Sequence, residues 1–307
     1  MSDLQKPGYI FASMVAASSA KLLMMVWAQK NAEKPLREVG VVDSLYVHPM
    51  KSCKAMTVTE ATITPLGLAF KDIVNRKFFL INNKNEFVNL KAEATMTLIV
   101  PTLEGDNMHL NAPEMETLVI PQIFDSGPTV KCVLHGQSVE AIDCGDKAAA
   151  WCSKFLNKDG IRLVTGVAFK HPYLYKEPAY ASKFPYMLLS AASLDDINSK
   201  MSTQPISMRN FRPNIVVKGP PAYDEDDWEE IVIGEANFCK RALCTRCVIT
   251  LIDPETGIKD SQNEPMKTLK KHRLRAGESK PCMGLYMGPL SPGKTIHVGD
   301  KVYARKA

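Results

Sequence analysis

Four cysteines in the second half of this sequence have a spacing that could bind a metal. Cys239, Cys244 and Cys247 have four and two residues between them, and Cys282 lies farther along the chain. Plant-type ferredoxins hold a two-iron, two-sulfur cluster with this spacing, so an iron–sulfur cluster is one interpretation. Two features argue against it: the residues between the cysteines are bulky, and the alternating pattern around Cys239 favours a strand rather than a loop.

The pair Cys244 and Cys247 permits other interpretations. A lone pair with this spacing is half of a zinc site, and no second pair completes it. A thioredoxin-like redox pair would open a helix, whereas the residues that follow, VITLID, predict a strand. One thiolate could instead bind molybdenum, since the thiolate is the form of cysteine that ligates metals. Simple packing of the cysteines is a further possibility, and the spacing alone leaves these interpretations open.

The composition and charge exclude several classes of protein. A chain of 307 residues that is 45% hydrophobic can build a sizeable core, and eight cysteines spread over that length do not form a dense disulfide scaffold. The formal net charge of +5 is mild, and no basic stripe with interleaved aromatic residues predicts nucleic-acid binding. No G-x-G-x-x-G or Walker pattern predicts a nucleotide site.

The N-terminal segment is unusually apolar. Residues 9–28 read YIFASMVAASSAKLLMMVWA, a length close to the roughly 20 residues that a membrane-spanning helix needs. Lys30, Lys34 and Arg37 follow the segment, so the positive-inside rule places the rest of the chain in the cytosol. We therefore predict that residues 1–37 form a membrane anchor and linker; the alternative is an amphipathic helix that packs on the protein.

The remaining sequence predicts short strands with few helices. Residues 38–165 contain runs such as VVDSLYV, TLIV and SVEAID that are separated by turns, followed by the helix GDKAAAWCSKFL. Residues 166–307 contain the strands NIVVKG, EEIVIGE, NFCKRAL and CVITLID, the helix EPMKTLKKHR, and a helix that we expect Ser193 to cap. This pattern predicts an α+β, β-rich fold of two barrel-like domains, 38–165 and 166–307.

Four stretches together resemble the MOSC-domain proteins, and among these the mitochondrial amidoxime-reducing components. They are KSCKAMTV at 51–58, NFRPNIVV at 210–217, CTRCVITLIDPETG at 244–257 and IHVGDKVY at 296–303. The resemblance implies an N-terminal MOSC-type β-barrel unit followed by a MOSC β-barrel domain, with Mo-molybdopterin, the molybdenum cofactor, between them. It also includes an N-terminal anchor helix in the corresponding place.

The resemblance implies a role for particular residues. Cys247, the second cysteine of the C-x-R-C motif, would be the molybdenum ligand and the catalytic residue, and Cys244 a neighbour. The residues that would bind the cofactor are Lys51, Ser52, Arg76, Ser182, Lys183, Arg212, Asn214, Thr245, Arg246 and Tyr286. Arginines are suited to this because their planar guanidinium grips phosphate with two hydrogen bonds. The run Ser182-Lys183-Phe184 departs from the family, in which hydroxyl side chains stand there.

The resemblance also implies an activity. Family members reduce small N-hydroxylated compounds such as amidoximes, hydroxylamines and hydroxamic acids, with electrons from cytochrome b5 and NADH-cytochrome b5 reductase. The expected location is the mitochondrial outer membrane, with the catalytic part facing the cytosol. We expect no binding of nucleic acid. The alternatives are a molybdenum cofactor carrier or sulfur-transfer protein, and a ferredoxin-like iron–sulfur electron carrier that uses the four cysteines.

Overall fold

Short strands dominate the structure, a computed structural model that describes residues 34–134, 136–166 and 184–306. In chain order the strands are β1 (Arg37–Val47), β2 (Met56–Val58), β3 (Glu60–Thr64), β4 (Gly67–Phe70), β5 (Ile73–Val74), β6 (Phe78–Ile81), β7 (Phe87–Val88), β8 (Val100–Glu104), β9 (Asn107–Asn111), β10 (Leu118–Pro121), β11 (Thr129–Leu134), β12 (Gln137–Asp143), β13 (Arg162–Gly166), β14 (Tyr186–Ser190), β15 (Ile215–Lys218), β16 (Trp228–Ile233), β17 (Ala236–Thr245), β18 (Cys282–Pro289), β19 (Thr295–His297) and β20 (Lys301–Lys306).

Three α-helices and four short 3-10 helices connect these strands in the described residues. The α-helices are α1 (Asp146–Leu156), α2 (Ala191–Lys200) and α3 (Met266–Arg273). The 3-10 helices are Ala94–Leu98, Met208–Asn210, Asp224–Asp227 and Val248–Leu251. The expected α+β, β-rich class is therefore confirmed, and Arg37–Ala307 packs as one compact unit.

Seven strands close into a barrel. Their order is β15-β14-β18-β17-β16-β20-β1, and β1 pairs with β15 to complete the ring. Every pairing in the ring is antiparallel except that of β14 with β15. Because β1 comes from the first half of the chain and the other six strands from the second, the two predicted domains share this barrel. Their boundary at residues 165 and 166 stays a prediction.

Three smaller sheets complete the architecture. Strands β11-β12-β13-β6-β7 form one sheet, β10-β9-β8 a second, and β19-β3-β4-β5 a third. The Tyr186 hydroxyl on β14 donates to the Thr64 carbonyl at 2.6 Å and accepts from the Thr64 amide at 2.8 Å, which ties the barrel to β3. Tyr186 is buried and Thr64 is partly buried, so these bonds are partly shielded from water.

Apolar alternation explains where the strands lie. On β1, Val42, Leu45 and Val47 are buried and face the large core, which also contains Trp228 and Phe238. A second apolar cluster fills the space between the barrel wall and the helices α2 and α3. Its buried members are Met187, Leu189, Ile197, Phe211, Cys244, Leu251, Met266, Leu269 and Met283. This second cluster fixes the segment around Cys244 against α3.

Three local expectations were wrong. The helix α2 is capped by Ser190, whose hydroxyl accepts from the Ser193 amide at 3.2 Å; Ser193 itself lies inside the helix. The run VITLID forms a 3-10 helix at Val248–Leu251 because the amide and hydroxyl of Thr250 both return to the Cys247 carbonyl. The run TLIV begins in the 3-10 helix Ala94–Leu98 rather than in a strand.

Two of the predicted segments fall outside the described residues. The anchor predicted at residues 9–28 is one, and the stretch that contains Ser182 and Lys183 is the other. Among the described helices, none combines the length and the apolar character needed to cross a membrane.

Candidate active site

A cleft of about 330 Å³ collects most of the residues that the sequence predicted for a cofactor. Its lining residues are Lys51, Ser52, Arg76, Phe87, Asn89, Leu90, Lys91, Met187, Asn210, Phe211, Arg212, Cys244, Thr245, Arg246, Cys247, Ile249, Thr250 and Tyr286. Eight of these were predicted, and they come from both halves of the chain. The volume lies in the range typical of sites for small molecules and cofactors.

Lys51 and Ser52 follow β1 and enter the cleft from the first half of the chain. The Lys51 amide donates to the Phe78 carbonyl at 2.8 Å, which holds this turn against β6. The Lys51 residue is 5% exposed, and its Nζ lies 4.8 Å from the centre of the Phe87 ring. Loss of hydration lowers the Lys51 pKa well below its usual value, and the neighbouring Arg76 and Arg212 lower it further. Ser52 adopts a left-handed backbone with φ of 73°.

Arg76 lies deep in the same cleft. Its backbone is left-handed, with φ of 63°, and its amide donates to the His48 carbonyl at 2.5 Å. Its Nε is buried and has no hydrogen-bond partner among the described residues. Burial also lowers the Arg76 pKa. A buried guanidinium NH without an acceptor is costly, so this atom indicates a ligand that would accept from it.

Arg212 reaches the cleft from the turn before β15. This residue is also left-handed, with φ of 54°, and its Nη1 donates to the Cys53 carbonyl at 2.7 Å. Burial, followed by the charge of Arg76, lowers the Arg212 pKa to about 9. Strained backbone that the surrounding structure maintains is concentrated at functional sites, and here three such residues line one cleft.

The electrostatics of the cleft favour an anion. Arg76 lowers the pKa of both Lys51 and Arg212, and Arg212 also lowers that of Lys51. Among the described residues that line the cleft, none is an Asp or a Glu. Without a ligand, three partly desolvated cations therefore repel one another. A phosphate bound among them would relieve both the repulsion and the lost hydration.

The C-x-R-C segment forms the opposite wall of the cleft. Cys244 and Thr245 end β17, and Cys247 directly precedes the 3-10 helix Val248–Leu251. Both cysteines line the cleft, but Cys244 is 2% exposed and belongs to the second apolar cluster, whereas Cys247 is partly exposed. Of the two thiols, that of Cys247 is therefore the more accessible to a ligand.

Arg246 has a largely structural arrangement. Its Nε and Nη2 donate to the Met283 carbonyl at 2.8 and 2.5 Å, and its Nη1 donates to the Phe211 carbonyl at 2.9 Å. The neighbouring Gly284 is left-handed, with φ of 82°, and a Cβ there would lie 2.7 Å from the Leu188 carbonyl oxygen and 3.3 Å from the Arg246 Nη2. Arg246 thus ties the C-x-R-C segment to β18 and to the turn that carries Arg212.

Tyr286 and Asn214 differ in where they lie. Tyr286 lines the cleft from β18; burial, followed by the neighbouring Cys244, raises its pKa. The Asn214 side chain does not line the cleft: its Oδ1 accepts from the Met187 amide at 3.2 Å, and its Nδ2 donates to the Tyr46 carbonyl at 3.2 Å. Asn214 therefore joins β1 to β14 and supports the wall that Met187 contributes.

Sequence reasoning missed several residues of the site. The residues of the cleft lining that were not singled out have apolar, amide or hydroxyl side chains, and they include Phe87, Asn89, Leu90, Asn210, Phe211, Ile249 and Thr250. His48 was also missed: its buried Nε2–H donates to the Pro213 carbonyl at 3.2 Å, and its Nδ1 has no partner among the described residues. Burial, then Arg212 and Arg76, lower the His48 pKa well below its usual value. His48 lies three residues before Lys51 in the sequence, and this nearness to a predicted site residue was the clue that could have identified it.

The four-cysteine cluster does not form. Cys239 and Cys244 lie on the same strand, β17, five residues apart, which separates them by roughly 16 Å at about 3.3 Å a residue. The Cys239 thiol points to the Gly288 carbonyl of β18 at 3.7 Å. Within the described residues, no group of three or more His, Cys, Asp or Glu side chains could together hold a metal ion. The ferredoxin-like interpretation is therefore inconsistent with this geometry.

Comparison with known proteins agrees with the fold. The model of the MOSC N-terminal beta barrel domain matches residues 39–159, and that of the MOSC domain matches residues 176–303. The chain is 36% identical over 293 residues to mitochondrial amidoxime-reducing component 1 of Mus musculus, covering 90% of this chain and 85% of that protein. It is 34% identical over 318 residues to component 1 of Homo sapiens, covering 97% and 94%.

The chain belongs to the amidoxime-reducing component family of MOSC-domain proteins. A third relative, mitochondrial amidoxime reducing component 2 of Bos taurus, is 36% identical over 293 residues, covering 90% of this chain and 86% of that protein. The similarity thus includes both component types and most of each chain. The resemblance that the four motifs indicated is confirmed, and in this member of the family three of the four motifs contribute residues to the cleft.

Proposed function

We propose that this protein is a molybdenum-cofactor-dependent reductase of small N-hydroxylated compounds, among them amidoximes, hydroxylamines and hydroxamic acids. The observation that carries the proposal is a cleft that brings Lys51, Arg76 and Arg212 together with an accessible thiol, that of Cys247, and whose described lining residues include no carboxylate. Relatives named amidoxime-reducing components, similar over most of their length, support the substrate class.

The donors in the cleft suit Mo-molybdopterin, which carries a phosphate and a polar pterin. Lys51, Arg76 and Arg212 would hold the phosphate, because their charges are desolvated and the Arg76 Nε has no acceptor among the described residues. The hydroxyls of Ser52 and Thr245 would donate to or accept from the pterin. Lys183 and Ser182, outside the described residues, stay predicted contacts.

Cys247 would supply the protein thiolate to the metal, and a thiolate that is fixed by the protein tunes the redox potential of the group it binds. When bound, the cofactor supplies a two-electron reducing centre that removes oxygen from nitrogen. The apolar residues Phe87, Leu90 and Ile249 would limit the access of water to that centre. Low polarity of the wall also strengthens the electrostatic interactions inside the cleft.

Arg246, Asn214 and Tyr286 would act by positioning. Arg246 fixes the segment that carries Cys247 to β18, and Asn214 fixes β1 to β14. The centre of the Tyr286 ring lies 5.5 Å from that of Phe184, and Tyr286 packs against the second apolar cluster, which contains Cys244. None of the three needs to contact the substrate for the reaction to depend on it.

The reaction consumes two electrons in each turnover. We propose cytochrome b5 and NADH-cytochrome b5 reductase as the donors, and the mitochondrial outer membrane as the location, with the catalytic unit facing the cytosol. Residues 9–28 would provide the anchor. Deletion of residues 1–36 should then leave the compact unit that begins at Arg37 active and soluble, whereas the full chain should resist carbonate extraction from membranes. Release of the full chain by carbonate would contradict the anchor.

Metal and pterin analysis of the purified full chain tests the function. We expect molybdenum and molybdopterin in equal amounts, with turnover of benzamidoxime when dithionite or reduced cytochrome b5 supplies electrons. Molybdenum and pterin without turnover of any N-hydroxylated compound would favour a cofactor carrier or sulfur-transfer protein instead. Iron with labile sulfide would contradict the proposal altogether.

A further inference from the structure

Helix α3 carries a dense group of cations next to the segment that contains Cys247. Residues 265–280 contain six Lys or Arg residues and one carboxylate, Glu278. Lys267, Lys270 and Lys271 are exposed, and none of them forms an ion pair with another described residue. Protein surfaces normally interleave the two signs of charge, so a one-sign patch of this size creates a field that attracts an acidic partner.

Two of the carboxylates near this patch, those of Asp226 and Glu264, are buried. Asp226 is 5% exposed and accepts from Arg273 and Arg275. Glu264 is 3% exposed and accepts from the Thr268 amide in the first turn of α3 at 3.1 Å. Both negative charges therefore face inward, and the positive charges of the lysines face solvent.

Packing places α3 against the wall of the cleft. Leu269 and Met266 share the second apolar cluster with Leu251 and Cys244, so the buried face of α3 packs on the 3-10 helix that begins after Cys247. At the end of α3, the Arg273 Nε donates to the Cys282 carbonyl at 3.1 Å, and Cys282 pairs with Thr245 across β17 and β18.

Val248 gives this surface an apolar contact point. It is 46% exposed, and a single peptide bond joins it to Cys247. Leu274, directly after α3, is also 46% exposed. Transient electron-transfer complexes use small interfaces that charges orient, with few buried contacts.

We infer that the exposed lysines of α3, together with Val248, form the docking surface for the acidic protein that donates electrons to this site. The inference rests on the proposed reductase function and adds the place where electrons arrive. Electron transfer weakens steeply with distance, and a donor that contacts Val248 would be one peptide bond along the chain from Cys247. An anionic lipid surface could also attract these lysines, but it would gain nothing from their position beside Cys247.

Charge reversal with two electron sources tests the inference. The variant Lys267→Glu/Lys271→Glu should raise the KM for cytochrome b5 by about 10-fold or more, since electrostatic steering changes association rates by about 10- to 1000-fold. Its turnover of benzamidoxime with dithionite should be unchanged, because dithionite needs no docking surface. The rise in KM should shrink as salt is added, since salt screens exposed charges.

Matched controls separate the possible outcomes. Lys147→Glu/Lys154→Glu makes the same charge change on α1, which packs against β10 and β13, and should leave the KM unchanged. Lys267→Gln/Lys271→Gln should give a smaller rise in KM, and its dithionite activity reports folding if the Glu variant is unstable.

Equal KM values for the α3 and α1 variants would overturn the inference. The inference would also be overturned if the α3 variant lost binding to vesicles of phosphatidylcholine and phosphatidylserine while its KM for cytochrome b5 stayed unchanged. Absence of dithionite activity in the unaltered protein would instead overturn the proposed function.

Discussion

Arg76 and Arg212, from opposite halves of the chain, point into one cleft, and both hold a left-handed backbone with φ of 63° and 54°. Each is buried enough to have a lowered pKa, and the charge of Arg76 contributes to the shift of Arg212. A protein without an anionic ligand would gain nothing from this arrangement, because it combines backbone strain, lost hydration and repulsion. The pair therefore indicates that the cleft is built for an anion.

Removal of one cation should stabilise the cofactor-free protein. Lys51→Met keeps the volume of the buried side chain and removes its charge, so we expect the free energy of unfolding to rise by about 0.5–2 kcal/mol. The same variant should contain less molybdopterin and molybdenum. Urea unfolding of protein made without the cofactor measures the first effect, and pterin analysis the second. Lys84→Met, at an exposed position, should change stability by no more than about 0.5 kcal/mol. A less stable Lys51→Met that keeps its cofactor would contradict this account.

The left-handed backbone at Arg212 gives a separate prediction. Arg212→Gly and Arg212→Ala both remove the guanidinium and should both lower cofactor content. Glycine accepts a positive φ, whereas alanine is strained there by about 1–2 kcal/mol. We therefore expect Arg212→Gly to be the more stable of the two by about 1 kcal/mol, measured by urea unfolding. Equal stabilities would show that the turn relaxes when its side chain is lost.

His48 predicts a loss of stability in acid. Because its pKa is well below the usual value in the folded protein, the unfolded chain binds the proton first as the pH falls below about 6.5. Stability should therefore decline below that pH by up to about 1.4 kcal/mol for each unit. His48→Gln, whose amide can still donate to the Pro213 carbonyl, should show a smaller decline. The comparison needs urea unfolding at pH 7.5 and 5.5; identical declines would mean that His48 does not titrate as described.

The cations and thiols of the site were easier to predict from the sequence than the shape of the cleft. Motifs 51–58, 210–217 and 244–257 each contributed residues to the cleft, because cations and thiols leave a recognisable trace in a sequence. The closing pairing of β1 with β15 could not be predicted, since it joins segments about 170 residues apart. Phe87 and Leu90 gave no signal because apolar side chains look the same in a core and in the wall of a cleft.

Local hydrogen bonds account for other differences. The segment after Cys247 reads as a strand by hydrophobic pattern, but the Thr250 hydroxyl turns it into a 3-10 helix and so presents Cys247 at the cleft. Arg246 was predicted as a cofactor ligand from its place in the C-x-R-C motif, and its guanidinium is bonded to the carbonyls of Phe211 and Met283. A sequence shows that a cation is present but not which acceptor it meets.

X-ray absorption at the molybdenum edge tests the central claim most directly, because it counts the sulfur atoms bound to the metal. We predict that Cys247→Ala loses one molybdenum–sulfur contact relative to the unaltered protein and also loses its reductase activity. Cys244→Ala, at the buried neighbouring thiol, should keep the full set of contacts and substantial activity. An unchanged sulfur count in Cys247→Ala, with a reduced count in Cys244→Ala, would contradict the assignment of Cys247 as the ligand.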